Sequence, residues 1–178
     1  LTFFLLLLLV LSLGVWQIDR GYNKKELENT FLERQSQPVK EIKYNTFLKS
    51  DLYRNVVLEG RYLDNTFLLD NRIHNGKPGL KVFSPFETTN SSLVLVSRGW
   101  IELKDRSNLP MIKSSKNILK IQGVLRPESK DFVLENEEMN KKNNPILVQT
   151  VNLSELSNFL GNPLSPYILE LSELSESA

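Results

Sequence analysis

The chain has 178 residues, enough for one ordinary domain with a short appendage, and 40% of them are hydrophobic. Lys and Arg number 22 against 21 Asp and Glu, so a net charge of +1 gives no electrostatic reason to expect a nucleic-acid partner. Within these residues the absence of cysteine excludes a thiol nucleophile, a cysteine-ligated metal and a disulfide. A single histidine, His74, excludes a multi-histidine metal site.

The chain opens with an apolar run, residues 1–16, which is interrupted only by small residues. A transmembrane helix needs about 20 apolar residues, and because the chain starts without methionine we expect further residues upstream. Trp16 suits the aromatic belt of a membrane interface, and Arg20 begins a basic flank. We interpret the run as an uncleaved transmembrane anchor. A cleaved signal peptide is the alternative, although no small-residue cleavage site follows the run.

Residues 17–37 are polar and charged and are predicted to continue the helix out of the bilayer as an exit segment. Gly21 predicts a break, because glycine costs about 1 kcal/mol in a helix interior. Leu27 and Phe31 lie four residues apart and predict a narrow apolar stripe that leans on the following domain. Pro38 is predicted to end the segment. Charge does not fix the orientation of the anchor, because the flank before residue 1 is outside the chain.

Residues 38–173 are predicted to form a β-rich domain on the far side of the anchor. Residues 56–62 alternate between apolar and polar, and we expect residues 66–72 to return as their hairpin partner. Residues 93–96 are apolar on both faces, which predicts a central strand. The other predicted strands cover residues 80–86, 93–101, 118–126, 146–151 and 167–171.

A helix is predicted over residues 153–160, where Asn152 provides the N-cap and Gly161 the stop. Residues 104–117 read as a polar connection, and the Lys/Glu/Asn-rich run at residues 135–144 as a solvated surface loop. The fold class is therefore mainly β (α+β). We expect an antiparallel sheet or barrel-like domain attached to an N-terminal transmembrane helix, with one or two short helices. Residues 174–178 read as a truncated tail.

Three arginines, Arg72, Arg98 and Arg126, fall near the ends of predicted strands. A guanidinium suits carboxylates such as haem propionates or acidic partner residues, and salt bridges inside the domain are the alternative. Trp100 belongs either to the core or to an exposed aromatic patch. The glycines are expected to serve turns, bulges and close strand packing; they are Gly60, Gly76, Gly79, Gly99 and Gly123.

No motif in the chain indicates catalysis, and we predict no catalytic residue, no metal site and no enzyme. There is no paired-carboxylate arrangement, phosphate loop, dinucleotide fingerprint or nucleophile turn. A membrane-anchored hydrolase is an alternative, and it would need reactive carboxylates or a site built on His74. His74 lies in a predicted turn, where a solvated side chain and a metal or haem ligand are the two readings.

In their order and spacing, several short motifs along the chain resemble the surfeit-locus-one family of cytochrome c oxidase assembly factors. They are Gly14-Val15-Trp16-Gln17 with Arg20 and Lys24, Glu59-Gly60, Asp70-Asn71-Arg72 with Gly76 and Gly79, Val82 to Phe86, Leu95 to Trp100, Gly123 to Pro127 and Gln149 to Leu153. The chain departs from the family at Ser97, where asparagine is usual, and at Asn144, where a tryptophan is common. The family's second transmembrane helix, which in bacterial members carries a histidine implicated in haem binding, would follow residue 178.

The resemblance implies a membrane-anchored assembly factor that aids delivery or insertion of haem a into the catalytic subunit of cytochrome c oxidase. Haem a would be held transiently, with its ligand histidine outside this chain. The implied partners are that subunit and the enzymes of haem a synthesis, and the implied location is the bacterial inner membrane with the β domain in the periplasm. The implied haem- or partner-binding residues are Trp16, Arg20, Arg72, Arg98 and Trp100. The alternative is a protein-only scaffold that stabilises an assembly intermediate without haem.

Overall fold

The computed structural model of the chain describes residues 2–42, 47–103, 105, 109–112, 115, 117–128, 139 and 143–172. Over this part of the chain it has one long helix, a β-rich domain and one short helix, which confirms the predicted fold class. The elements are α1 (Thr2–Ser36), β1 (Lys40–Glu41), a single 3-10 turn (Lys49–Asp51), β2 (Asn55–Tyr62), β3 (Phe67–His74), β4 (Lys77–Thr88), β5 (Leu93–Glu102), β6 (Leu119–Pro127), β7 (Ile146–Val148), α2 (Leu153–Leu160) and β8 (Leu164–Leu171).

Helix α1 is continuous over 35 residues, and its apolar first half is exposed along its length. It is long and apolar enough to cross a membrane. The break predicted at Gly21 is wrong: the helix passes through it. The cost of one glycine, about 1 kcal/mol, is small beside the good helix formers that follow at residues 24–28. The helix ends at Ser36, two residues before Pro38, whose ring disfavours helical backbone in the residue before it.

Five strands close on themselves into a barrel. Strand β2 pairs with β6 from Asn55 to Gly60, and its last residues, Gly60 to Tyr62, pair with β4. The ring is completed by the pairs β6–β8, β8–β5 and β5–β4. Closure leaves these five strands without a free edge along the paired stretches. Most pairs are antiparallel as predicted, whereas β1–β2, β3–β7 and β5–β8 are parallel.

The barrel is filled by apolar side chains that come from each of its five strands. Alternate residues of each strand point inward, as the period of two in the sequence predicts. The interior cluster consists of Val56, Leu58, Tyr62, Phe86, Val94, Val96, Ile121, Leu125 and Leu169. Strand β5 lies between β4 and β8 and is buried from Leu93 to Ser97, so the predicted central strand is confirmed.

The predicted hairpin between residues 56–62 and 66–72 is wrong. Strand β3 pairs with β4 and β7 instead. The reason is that both sides of β2 are already occupied, by β6 along most of its length and by β4 at its end. Two backbone hydrogen bonds extend the β2–β4 pairing: Leu63 N donates to the Pro85 carbonyl (2.9 Å), and Thr89 N donates to the Glu59 carbonyl (2.9 Å). The chain therefore leaves the barrel after Tyr62.

Helix α2 covers a second apolar cluster, on the outer face of β3, β4, β5, β7 and β8. The helix has the predicted bounds, since Asn152 Oδ1 accepts hydrogen bonds from Ser154 N and Glu155 N and Gly161 adopts the left-handed conformation that ends it. The predicted loop at residues 135–144 lies mostly outside the described residues, as do the tail at residues 174–178 and parts of the connection at residues 104–117.

Candidate functional site

A cavity of about 250 Å³ lies on the outer face of the barrel beside the apolar cluster under α2. We name it the β8 cavity. Its walls combine an apolar surface with a charged rim, which is the mixture expected of a site for an amphipathic ligand. The apolar residues are Leu69, Phe83, Pro127, Val151 and Ile168, and the polar ones are Arg72, Lys81, Ser97, Arg126 and Glu170.

Strand register explains why residues distant in sequence meet in the β8 cavity. Ser97 pairs with Glu170 in β8 and with Phe83 in β4, and residues paired directly across strands project to the same face. Within β8, Ile168 and Glu170 are two residues apart and therefore share that face. The outer face of three neighbouring strands thus carries an apolar side chain, a hydroxyl and a carboxylate side by side.

Glu170 is the electrostatic centre of the rim. Lys81 Nζ lies 2.8 Å from Glu170 Oε1, and the Arg126 guanidinium forms an ion pair with Glu170 Oε2. Burial alone would raise the pKa of Glu170, but the hydrogen bonds and charges of Lys81 and Arg126 outweigh it and hold the pKa below its ordinary value. The carboxylate is therefore ionised at neutral pH, and among the described lining residues it is shared by two cations, Lys81 and Arg126.

Arg126 also connects the cavity to α1. Its guanidinium lies 5.0 Å from the centre of the Phe31 ring, and Phe31 packs edge-on against Tyr53 at 5.8 Å. One turn later, Arg34 Nη1 donates to the carbonyls of Leu52 (2.9 Å) and Lys49 (3.3 Å). The last turns of α1 are thus bound to the barrel beside the β8 cavity. Phe31 leans on the domain as predicted, but the predicted stripe is wrong at Leu27, which lies one turn earlier and is exposed.

Ser97 supplies a polar group inside the cavity wall. Its side chain is only 2% exposed, and its Oγ has no hydrogen-bond partner among the described residues. A buried hydroxyl left without a partner costs about 1–3 kcal/mol relative to one that is paired. Such a group in a cavity wall is a donor available to a ligand.

Two predicted site residues, Arg72 and Trp100, lie together at the end of the β3–β4 hairpin. Trp100 Nε1 donates to the Arg72 carbonyl at 3.0 Å, and the Trp100 ring lies 5.3 Å from that of His74. A side chain at Gly79 would collide with the Trp100 indole, which explains the glycine there. Trp100 is therefore half-buried and fixes the hairpin that carries Arg72 into the cavity wall, while His74 is exposed at the tip.

Arg98 lies apart from these residues. It follows Ser97 in β5 and projects to the opposite face, where its guanidinium stacks over the buried Tyr62 ring at 4.6 Å. This cation–π contact places Arg98 at the end of the barrel interior. Arg72 and Arg98, both among the predicted binding residues, therefore lie on opposite sides of the sheet.

Trp16 and Arg20 form a third group, on α1. The Arg20 guanidinium lies 5.5 Å from the Trp16 ring, and both side chains are exposed. At 1.5 Å per residue, Arg20 is about 16 Å from Phe31 along the helix axis. The five predicted binding residues thus occupy three separate places: the exposed half of α1, the β3–β4 hairpin beside the β8 cavity and the end of the barrel.

Comparison with known sequences identifies the family. Residues 4–178 match the sequence model described as the SURF1 family. The chain belongs to the SURF1 family. This confirms the surfeit-locus-one resemblance.

Individual members of the SURF1 family match over different lengths. A SURF1-like protein of Rickettsia conorii is 27% identical over 93% of this chain and 68% of its own length. One from Dictyostelium discoideum is 31% identical over 60% of this chain and 43% of its own length. One from Rickettsia prowazekii is 30% identical over 69% of this chain and 50% of its own length. The matched part thus spans between 43% and 68% of these relatives.

The sequence analysis named arginines and glycines as candidate site residues, and it did not name Lys81 or Glu170, which form the ion pair at the cavity. A signal for both was present, since each is a charged residue at a strand position whose neighbours two residues away, Phe83 and Ile168, are buried. Charged side chains are rarely placed on a buried face unless they are paired. Arg126 was noted as a strand-end cation, and the structure pairs it with Glu170.

Proposed function

We propose that this chain is a membrane-anchored factor in the assembly of cytochrome c oxidase that aids delivery of haem a to the catalytic subunit. The observation that carries the proposal is the match to the SURF1 family, a family of assembly factors, along residues 4–178. Membership in that family supports a role in oxidase assembly. Haem a, the oxidase subunit and the enzymes of haem a synthesis enter as the cargo and partners of the proposal.

The exposed α1 supports membrane attachment. An apolar helix with no covering protein surface is stable in a bilayer, where its backbone hydrogen bonds are satisfied internally. Trp16 and Arg20 then lie at the membrane interface, where an indole and a basic side chain are favoured. We propose the bacterial inner membrane as the site of attachment, with the barrel on the periplasmic side.

The β8 cavity is too small for the whole of haem a, so the proposal uses it only as a contact for one propionate. Its volume of about 250 Å³ is below the range of about 300–1,000 Å³ that is typical of complete small-molecule sites. Its lining contains arginine and lysine but no histidine. In the proposal, therefore, Arg72 holds a propionate at the cavity and Arg98 offers a second guanidinium at the barrel end. The iron is ligated by a histidine outside this chain.

The proposal is tested by the reduced-minus-oxidised spectrum of membranes from a strain that lacks the gene. We expect the haem a band to fall and to return when the full-length protein is restored. An unchanged spectrum with normal oxidase activity would contradict a role in assembly.

The role of the arginines is tested by Arg72→Lys and Arg98→Lys, which keep the charge and remove the bidentate fork. We expect each variant to accumulate normally but to restore less haem a to the oxidase. Arg61→Lys is the matched control, because Arg61 pairs with Glu87 on the exposed surface, at 2.7 Å. Normal haem content in both variants would exclude the propionate role.

The protein-only scaffold is separated from haem delivery by purification. If the chain carries haem, haem a is expected to co-purify with the full-length protein and to be lost from the isolated barrel domain. Restoration of the oxidase by a full-length protein that never carries haem would favour the scaffold.

A further inference from the structure

We propose that the β8 cavity is a binding site for a small organic carboxylate, whose charged group binds Lys81 and Ser97 and whose apolar body packs on Phe83 and Ile168. This inference rests on the cavity alone and does not require the chain to act on haem.

The charge of the cavity selects an anion. Among the described residues of the lining, Lys81 and Arg126 are cations that share a single carboxylate, Glu170. One added carboxylate brings the lining closer to neutrality, whereas an added cation increases the repulsion. Lys81 Nζ is well placed for such a contact, since an ammonium has three donors and one hydrogen bond to Glu170 leaves capacity for another.

Ser97 adds a neutral donor beside the cations. Its buried Oγ has no partner among the described residues, and Ser97 is paired in register with both Glu170 and Phe83. A carboxylate between Lys81 and Ser97 would therefore receive a charged and a neutral hydrogen bond. It would also remove the desolvation cost of the hydroxyl.

The size and the apolar walls of the cavity determine which apolar group can be attached to the carboxylate of the ligand. A dry apolar cavity of about 150 Å³ holds benzene, so a cavity of about 250 Å³ has room for a somewhat larger molecule. Lys81 Nζ lies 5.7 Å from the centre of the Phe83 ring, which places the cation at the border between charged rim and apolar wall. A ligand with one anionic end and one compact apolar end matches this arrangement.

The position of the cavity along α1 favours a ligand that arrives from water. Phe31, which contacts Arg126 at the cavity, follows Trp16 at the end of the apolar run by about 22 Å of helix. The polar headgroup layer of a bilayer is only about 5–7 Å thick on each side. We therefore assign the ligand to the aqueous phase rather than to the acyl chains of the membrane.

The proposal is tested with 3-phenylpropionate as the probe and the full chain in phosphatidylcholine nanodiscs, by titration calorimetry. We expect saturable binding of the acid and none of its neutral amide, 3-phenylpropanamide. Lys81→Met should weaken binding about tenfold or more, the effect of losing one charge-assisted hydrogen bond. Lys77→Met is the matched control, because Lys77 lies in the same strand and pairs with Glu102 (3.2 Å) outside the cavity.

Ser97→Ala provides a second variant that does not weaken the fold. Because the hydroxyl lacks a protein partner, its removal should leave the melting temperature unchanged or slightly higher while it reduces affinity for the acid. Equal binding of acid and amide, or binding unaffected by both Lys81→Met and Ser97→Ala, would overturn the proposal. Displacement of the probe by hexadecanoate held in the nanodisc bilayer would contradict the aqueous source.

Discussion

The Glu170 carboxylate pairs with two cations, each from a different strand. Lys81 reaches it from β4 and Arg126 from β6, so the carboxylate connects both neighbours of the β5–β8 pair. Because the side chain is one-third exposed, water screens these pairs and each is worth less than a buried pair. Their sum is nevertheless the electrostatic contact that fixes the rim of the β8 cavity.

This contact predicts a pH dependence of stability. The pKa of Glu170 is lower in the folded chain than its ordinary value of 4.5, so ionisation favours the fold. The contribution is complete above about pH 4.5 and is lost as the pH falls through the folded pKa. We expect Glu170→Gln to lower the free energy of unfolding by about 1 kcal/mol at pH 7. The difference in free energy of unfolding between this variant and the unsubstituted chain should become smaller below about pH 4.5.

Thermal unfolding of both proteins at several pH values measures this gap. Glu87→Gln is the control, since it removes one surface ion pair with Arg61 and leaves the cavity intact. A gap that is as large at pH 3 as at pH 7 would mean that Glu170 acts through packing and not through its charge.

At the scale of elements, the joint between α1 and the barrel is made by few contacts. Arg34 donates to two carbonyls of the turn before β2, and Asn55 Nδ2 donates to the Gln35 carbonyl at 3.5 Å. The Arg34 side chain is thus the charged contact that holds the last turn of α1. The joint is expected to loosen before the barrel does.

Arg34→Ala should therefore speed amide hydrogen exchange about tenfold in residues 31–36 and 49–54, as expected for loss of a hydrogen bond to a charged group. Exchange in β5, which is buried at the centre of the sheet, should stay unchanged. Glu33→Ala is the control, because this neighbouring side chain is exposed. Equal protection in all three proteins would show that the Arg34 hydrogen bonds do not hold the joint.

Local and long-range features differ in how far the sequence predicts them. Helix α2 was predicted with its observed bounds, because its cap, its apolar face and its stop all lie within ten residues. The partner of β2 was predicted wrongly, because strand pairing depends on which edges the rest of the chain leaves open. The cavity was not predicted, and among its lining residues the sequence singled out Arg72 and Arg126 as candidate partners of carboxylates. The Lys81–Glu170 contact spans 89 positions, and no local pattern encodes such a pairing.

At the scale of the whole molecule, closure of the barrel depends on close approach between strands. A Cβ at Gly123 would collide with the Glu170 carbonyl of β8, so only glycine allows β6 and β8 to pack as they do. The same strand pair carries Arg126 and Glu170. The close approach of β6 and β8 at Gly123 therefore affects both the closure of the barrel and the position of the Arg126–Glu170 ion pair at the cavity rim.

Gly123→Ala is expected to lower the free energy of unfolding by about 1–3 kcal/mol, the usual cost of overpacking. Chemical denaturation of the full chain measures it. Gly21→Ala makes the same chemical change at a helix position with no atom within 4 Å, and it should be neutral or slightly stabilising. If both variants unfold alike, backbone freedom rather than strand packing explains Gly123.

The unbroken helix has a consequence for how the barrel faces its surroundings. Helix α1 runs from the apolar segment to the Phe31 and Arg34 contacts without a break. It therefore sets both the distance of the barrel from the apolar segment and the rotation of the barrel about the helix axis. Each residue of an α-helix turns by about 100°. One residue inserted between Ile18 and Phe31 would turn the β8 cavity by more than a quarter of a circle about the helix axis, whereas seven would return it to within about 20°. The direction in which the cavity faces around the helix axis is therefore set by the number of residues between the apolar run and the barrel.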